Sequence, residues 1–180
     1  WNIMFTGEVL DPGRVTSAEI LEHGPLRGRI RVERRVSLTE GMPETVIVQD
    51  ICLYRHFPGV VFETRGSWYA AQVMVKARFD LPFEADTVAA EAPYGVAERA
   101  PHGEAEAGEL DADSAAEDRR ASLQAADEPD RYMQKWLDVS DGEQGLLFLN
   151  NGRYGYDADS HQIGISLLRA PFMRPERQEI

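Results

Sequence analysis

The stretch Val73-Met74-Val75-Lys76-Ala77-Arg78-Phe79-Asp80-Leu81 places an apolar side chain at every second position, with Lys76, Arg78 and Asp80 between them. Successive side chains of an extended chain point to opposite faces, so this alternation predicts a strand with one buried and one solvated face. The same period recurs on both sides of it. Ile30, Val32, Val36 and Leu38 share one parity against Arg29, Arg31, Glu33 and Arg35. Val46 to Leu53 is nearly continuous and β-branched, with Gln49 and Asp50 inside it, which suits a central strand. Val60, Phe62 and Thr64 form another, opened by Pro58-Gly59 and closed by Gly66. Gly145 to Leu149 and Ile163 to Leu168 follow, with the turn signal Asn150-Asn151-Gly152 between them. Helical periodicity is weak throughout: only Ala105 to Ala126 is rich in helix formers, and it lacks a wide apolar stripe. The expectation is an all-β sandwich of about ten short antiparallel strands.

Composition sets outer limits. The 180 residues carry 19 basic and 31 acidic side chains, a formal charge of −12. Such an excess argues against nucleic acid or an anionic membrane as partner, since both require a basic footprint. The charge is concentrated. Between Pro101 and Asp130 lie ten acidic and two basic residues, so this segment holds −8 of the total and the strands only −4. With Leu110 and Leu123 as its only large aliphatics, it reads as an acidic flexible insertion, residues 101–131, within one sandwich domain, disordered or partly helical. A calcium loop requires ligands at fixed spacing around a glycine, and that pattern is absent. One cysteine, Cys52, leaves no partner for an internal disulfide. With no signal segment in the sequence, it points to a cytoplasmic setting. The chain opens on Trp1, which suggests a piece of a longer protein.

Self-contained chemistry is hard to find. His23, His56, His102 and His161 show no ligand spacing, and neither a Gly-rich phosphate loop nor a Gly-x-Ser-x-Gly elbow occurs. Glu33, Glu63, Asp80 and Glu91 lie on or beside strands and offer carboxylates for acid–base work on sugars; the plainer reading makes them the solvent face. Two clusters are richer. Tyr94 to His102 brings together a phenol, a carboxylate, a guanidinium and an imidazole, and Asn150 to Asp157 gathers amides, Arg153, Tyr154, Tyr156 and an aspartate around a turn. Aromatic faces beside amides suit sugar recognition; the alternative for the second cluster is a hairpin whose tyrosines pack on a neighbouring strand.

A run of short motifs, in order, carries a resemblance. They are Trp1-Asn2-Ile3; Gly24-Pro25-Leu26-Arg27 with Ile30-Arg31-Val32-Glu33-Arg34; Gln49-Asp50-Ile51-Cys52-Leu53-Tyr54; Phe62-Glu63-Thr64 to Trp68; Val75-Lys76-Ala77-Arg78-Phe79; Tyr94-Gly95-Val96-Ala97-Glu98-Arg99; Lys135 to Ser140; Leu149 to Tyr156; and Ser166 to Pro171. Together they resemble the C-terminal β-rich region of the α-mannosidases of glycoside hydrolase family 38. The chain departs from the family pattern in three places. Ala100-Pro101-His102-Gly103 keeps a histidine but lacks the asparagine that usually follows, Trp68-Tyr69-Ala70 lacks a glutamate, and the acidic insertion is long.

The resemblance implies a galactose-mutarotase-like supersandwich that is one part of a larger zinc-dependent, retaining enzyme. Zinc, nucleophile and acid–base residue would belong to a catalytic domain outside this chain, leaving no catalytic residue, metal ligand or cofactor here. The partners implied are an α-mannoside and the other domains of the same polypeptide. The residues expected to face the sugar are Arg99, His102, Tyr154 and Tyr156. Two other functions compete: an independent carbohydrate-binding module, and a mutarotase-like enzyme that would pair His102 with Glu98.

Overall fold

The computed structural model describes residues 9–38, 41–101 and 130–170. Trp1-Asn2-Ile3, His102, the helix-prone Ala105 to Ala126 and nearly all of the acidic insertion lie outside these residues. Among the described residues every regular element is a strand, and all twelve lie in antiparallel sheets: β1 Arg14–His23, β2 Arg27–Val36, β3 Thr45–Tyr54, β4 Val60–Ser67, β5 Val73–Asp80, β6 Thr87–Ala92, β7 Gly95–Arg99, β8 Arg131–Tyr132, β9 Trp136–Ser140, β10 Gly145–Leu149, β11 Gly155–Ala158 and β12 Gln162–Ala170. The chain divides into two compact units, Trp1–Val73 with Ala170–Ile180, and Met74–Arg169.

The first unit holds a four-stranded meander, β1-β2-β3-β4. Its alternation sorts the side chains as the sequence suggests. Arg29 and Arg31 fall opposite Cys52 and Asp50 on one face, while Ile30 falls opposite Ile51 on the other. Asp50 is buried and is the hub of the polar face. Arg31 donates Nε and Nη2 to its two carboxylate oxygens at 2.7 and 2.8 Å, and Arg65 and Arg29 approach at 3.6 and 4.0 Å. A fork-to-fork pair of this kind is the strong form of a charged hydrogen bond. It holds the Asp50 carboxyl below its ordinary range, with the Arg29 and Arg65 charges adding to the effect. On the opposite face the register lines up Ile20, Ile30, Ile51 and Phe62 in one row across all four strands. Ile51 is half-buried, while Ile20 is 71%, Ile30 44% and Phe62 43% exposed, and the exposed Leu53 beside Val60 extends the row.

The second unit is a sandwich of two sheets, β10-β9-β6-β7 and β5-β12-β11-β8. Val88 and Ala90 of β6 and Leu137 and Val139 of β9 meet Tyr156 and Ala158 of β11 and Ile163 and Ile165 of β12 in one dry core with Met133 and Ala85. Phe79 and Leu81 close its edge from the β5 side, and Phe79 meets Phe148 of β10 at 5.2 Å between ring centroids. On the outer face of β5, the Lys76 ammonium donates to Asp157 at 2.6 Å and to Asp130 at 3.2 Å, and the Ser166 hydroxyl donates to Asp130 at 2.7 Å. Glycines make room for both carboxylates. A Cβ on Gly155 would lie 2.6 Å from an Asp130 oxygen, and one on Gly164 2.2 Å from an Asp157 oxygen. Asp130 and Arg131, placed at the end of the acidic insertion by composition, therefore belong to the ordered sheet.

Candidate functional site: a tyrosine and amide hollow

Asn150-Asn151-Gly152 does not close a hairpin. β10 pairs with β9, while the segment after it enters β11 in the other sheet, so these residues carry the chain across the edge of the sandwich. Gly152 takes the left-handed φ of 83° that the turn requires. Asn150 fixes the crossing: its Nδ2 donates to Gln134 O at 2.9 Å and its Oδ1 accepts from Arg153 N at 2.8 Å. The facing segment is held equally firmly. Met133 N donates to Tyr154 O at 2.8 Å, Gln134 N to Glu91 O at 2.9 Å, and Lys135 N to a Glu91 carboxylate oxygen at 2.8 Å.

Between these two braced segments lies a half-open hollow of about 330 Å³, lined by Tyr132, Gln134, Lys135, Asn150, Asn151, Gly152 and Tyr154. Tyr132 and Tyr154 stand 6.0 Å apart between ring centroids, tilted by 35°, and remain 47% and 55% exposed. Gly155 pairs with Tyr132 and Tyr156 with Arg131 across β11 and β8, so the two pairs face opposite sides of the sheet, Tyr156 toward the core and Tyr132 away from it.

The four residues expected to face a sugar end in different places. Tyr154 is exposed on the hollow. Tyr156 is fully buried in the sandwich core, where packing covers its ring and leaves no face for a ligand. Arg99 ends β7, exposed, close enough to Arg131 for its charge to be felt there. His102, and with it the pairing with Glu98, lies outside the described residues. Arg131 and Tyr132 were not singled out by sequence, although an aromatic directly after a long polar stretch was a usable signal. The Arg131 guanidinium donates to Ala100 O at 2.7 Å and lies against the Tyr156 hydroxyl. Burial lowers its pKa, the Arg99 charge lowers it further, and Tyr156 offsets part of the shift.

The carboxylates weighed for acid–base work have other duties. Glu91 accepts Lys135 N–H, Asp80 accepts from Gln162 Nε2 at 2.7 Å, and Glu33 accepts from Arg35 Nε at 3.0 Å. Among the described residues no group of three or more His, Cys, Asp or Glu side chains is placed to hold a metal ion.

Antiparallel sheets packed around an apolar core define an all-β sandwich domain. Residues 1–176 match the family described as the glycosyl hydrolases family 38 C-terminal domain, and the chain belongs to it. It is 27% identical over 157 residues to alpha-mannosidase G of Dictyostelium discoideum, covering 86% of this chain and 13% of that protein. It is 25% identical over 174 residues to alpha-mannosidase 2C1 of Mus musculus, covering 95% of this chain and 15% of the relative. In fold it is similar to an alpha-mannosidase from Enterococcus faecalis V583, with a TM-score of 0.67 at 16% identity over 87% of this chain and 19% of that one. A second Enterococcus faecalis protein of glycosyl hydrolase family 38 gives a TM-score of 0.63 at 14% identity, also over 87% of this chain and 19% of its own. The chain thus spans about an eighth to a fifth of the length of these relatives.

Proposed function

We propose that this chain is the non-catalytic C-terminal β domain of a zinc-dependent, retaining α-mannosidase, supporting the catalytic domain and helping to complete the sugar cleft. The observation that carries this reading is the apolar patch on the sheet face opposite Asp50, where Ile20, Ile30, Leu53 and Val60 are exposed among the described residues. An apolar patch of this kind on a sheet face suits contact with another domain. Most of the length of the relatives lies outside the matched region, and that supports another part of the same polypeptide as the occupant. An independent carbohydrate-binding module has no use for such a patch.

In the complete polypeptide, Ile30→Glu is expected to lower the melting temperature by several degrees and to impair release of an aryl α-mannoside. In the 180-residue chain alone the same change is expected to shift unfolding by no more than about 0.5 kcal/mol, as for other surface sites. Equal effects in both settings would overturn the reading. The pure chain is expected to release no aryl mannoside, with or without added zinc; turnover by it would equally defeat the proposal.

A further inference from the structure

From its lining, we infer that the hollow between Tyr132 and Tyr154 is a binding subsite for one neutral pyranose ring, a mannosyl unit other than the one whose bond is cleaved; the choice of mannose rests on the function proposed above. Two half-exposed tyrosine rings side by side leave part of their aromatic surface in reach of C–H groups. The polar groups around them sort into frame and ligand-facing sets. The Asn150 amide is occupied by Gln134 O and Arg153 N, so it holds the shape. Gln134, Lys135, Asn151 and the two tyrosines line the rest of it. Amides and hydroxyls that both donate and accept match the paired hydroxyls of a sugar. Among the described residues no carboxylate lines the hollow, and Lys135 is the one cation there. That disfavours a cationic ligand or a metal, and a single surface ammonium is a poor receptor for a phosphate. The walls are tied by backbone hydrogen bonds on both sides, so little ordering is left for the ligand to impose.

Affinity electrophoresis of the complete polypeptide through gels containing α-mannan tests this, with dextran gels as the control polymer. The wild type should be retarded by mannan and not by dextran. Tyr132→Ala and Tyr154→Ala should each weaken retention at least three-fold, Tyr154→Phe should keep most of it, and Tyr94→Ala, on a fully exposed ring that does not line the hollow, should keep all of it. If Tyr154→Ala fails to fold, judged by its melting curve, Tyr132→Ala decides. A wild type that is not retarded, equal retardation by dextran, or retention unchanged in the tyrosine-to-alanine variants would overturn the inference. Release of an aryl α-mannoside, measured in parallel, separates the two readings. Retention through Tyr132 and Tyr154 without hydrolysis would preserve the subsite and defeat the enzyme assignment, and hydrolysis without such retention would do the reverse.

Discussion

The four-stranded sheet of the first unit and the sandwich of the second use the same backbone ladder but are held together by different physics. In the sandwich, ten side chains from both sheets and their connections, including Val88, Leu137, Val139, Tyr156 and Ile163, form one buried cluster. In the first unit the buried groups are few, and one of them is a charged carboxylate: Asp50, with Thr45, Cys52 and Ala70. Among the described residues, the sandwich therefore draws on apolar burial, whereas the four-stranded sheet has a guanidinium-ringed aspartate as its most buried side-chain cluster and leaves Ile20 and Ile30 exposed on its other face. Secondary structure alone does not tell a self-sufficient unit from one that needs cover; the side chains on the second face do.

That contrast is open to attack. The largest effect is expected in the sandwich: Leu137→Ala should cost about 2–5 kcal/mol, because it removes buried methyl groups and leaves a cavity. Urea unfolding measures it, and a loss below about 1 kcal/mol would show that the core is not the source of stability. Asp50→Asn comes next. It removes the charge that three arginines surround, so amide exchange should quicken along β2 and β3 while β6 and β9 keep their protection. Uniform quickening across both units would erase the distinction.

Acid should reproduce this selectivity. The Asp50 carboxyl titrates below its ordinary value of 3.8 in the folded chain, chiefly through Arg31. The unfolded state then binds the proton more readily, so this contribution is complete above pH 3.8 and is lost as pH falls through the lower folded value. Exchange protection in β2 and β3 should fall in that window. Asp141, held low by the N–H groups of Gln144 and Glu143, should loosen its turn in the same range. Smaller again is Gly164→Ala, whose methyl would displace the Asp157 carboxylate from Lys76. Because a side chain rather than backbone must yield, about 1 kcal/mol is expected, and a neutral result would show that the cluster can rearrange freely.

Strands that meet a core were legible in the sequence because burial imposes the alternation. Val75, Ala77, Phe79 and Leu81 read correctly for that reason, and so did Val46 to Leu53. The first strand, Arg14–His23, was not legible. Nearly all of it is exposed, so nothing enforced a pattern on Thr16, Ser17 or Glu19. The short β8 was hidden too, since Arg131 and Tyr132 owe their place to pairing with β11, a contact distant in sequence. Of the candidate site, the Asn150 to Tyr154 wall was visible as a cluster, whereas Tyr132 and Gln134 come from elsewhere in the chain. Tyr154 and Tyr156 looked equivalent by composition, but Tyr154 lies in the crossing segment before β11 and is exposed, whereas Tyr156 lies within β11 and faces the core. The division of the chain near Val73 has no compositional mark.

The two glycines beneath the Lys76 cluster act as a key for strand alignment. Gly155 and Gly164 are the positions where a carboxylate can lie flat against its neighbouring strand. If β12 slid by one residue, Ile163 or Ile165 would take the place of Gly164 under Asp157 and turn its apolar side chain outward. The branched side chain would expel the carboxylate, and Lys76 would lose the nearer of the two anions it donates to. Each wrong alignment is thus penalised twice, by crowding and by a weakened ion pair. A pair of residues with no side chains at all thereby selects one arrangement of strands over its nearest competitors.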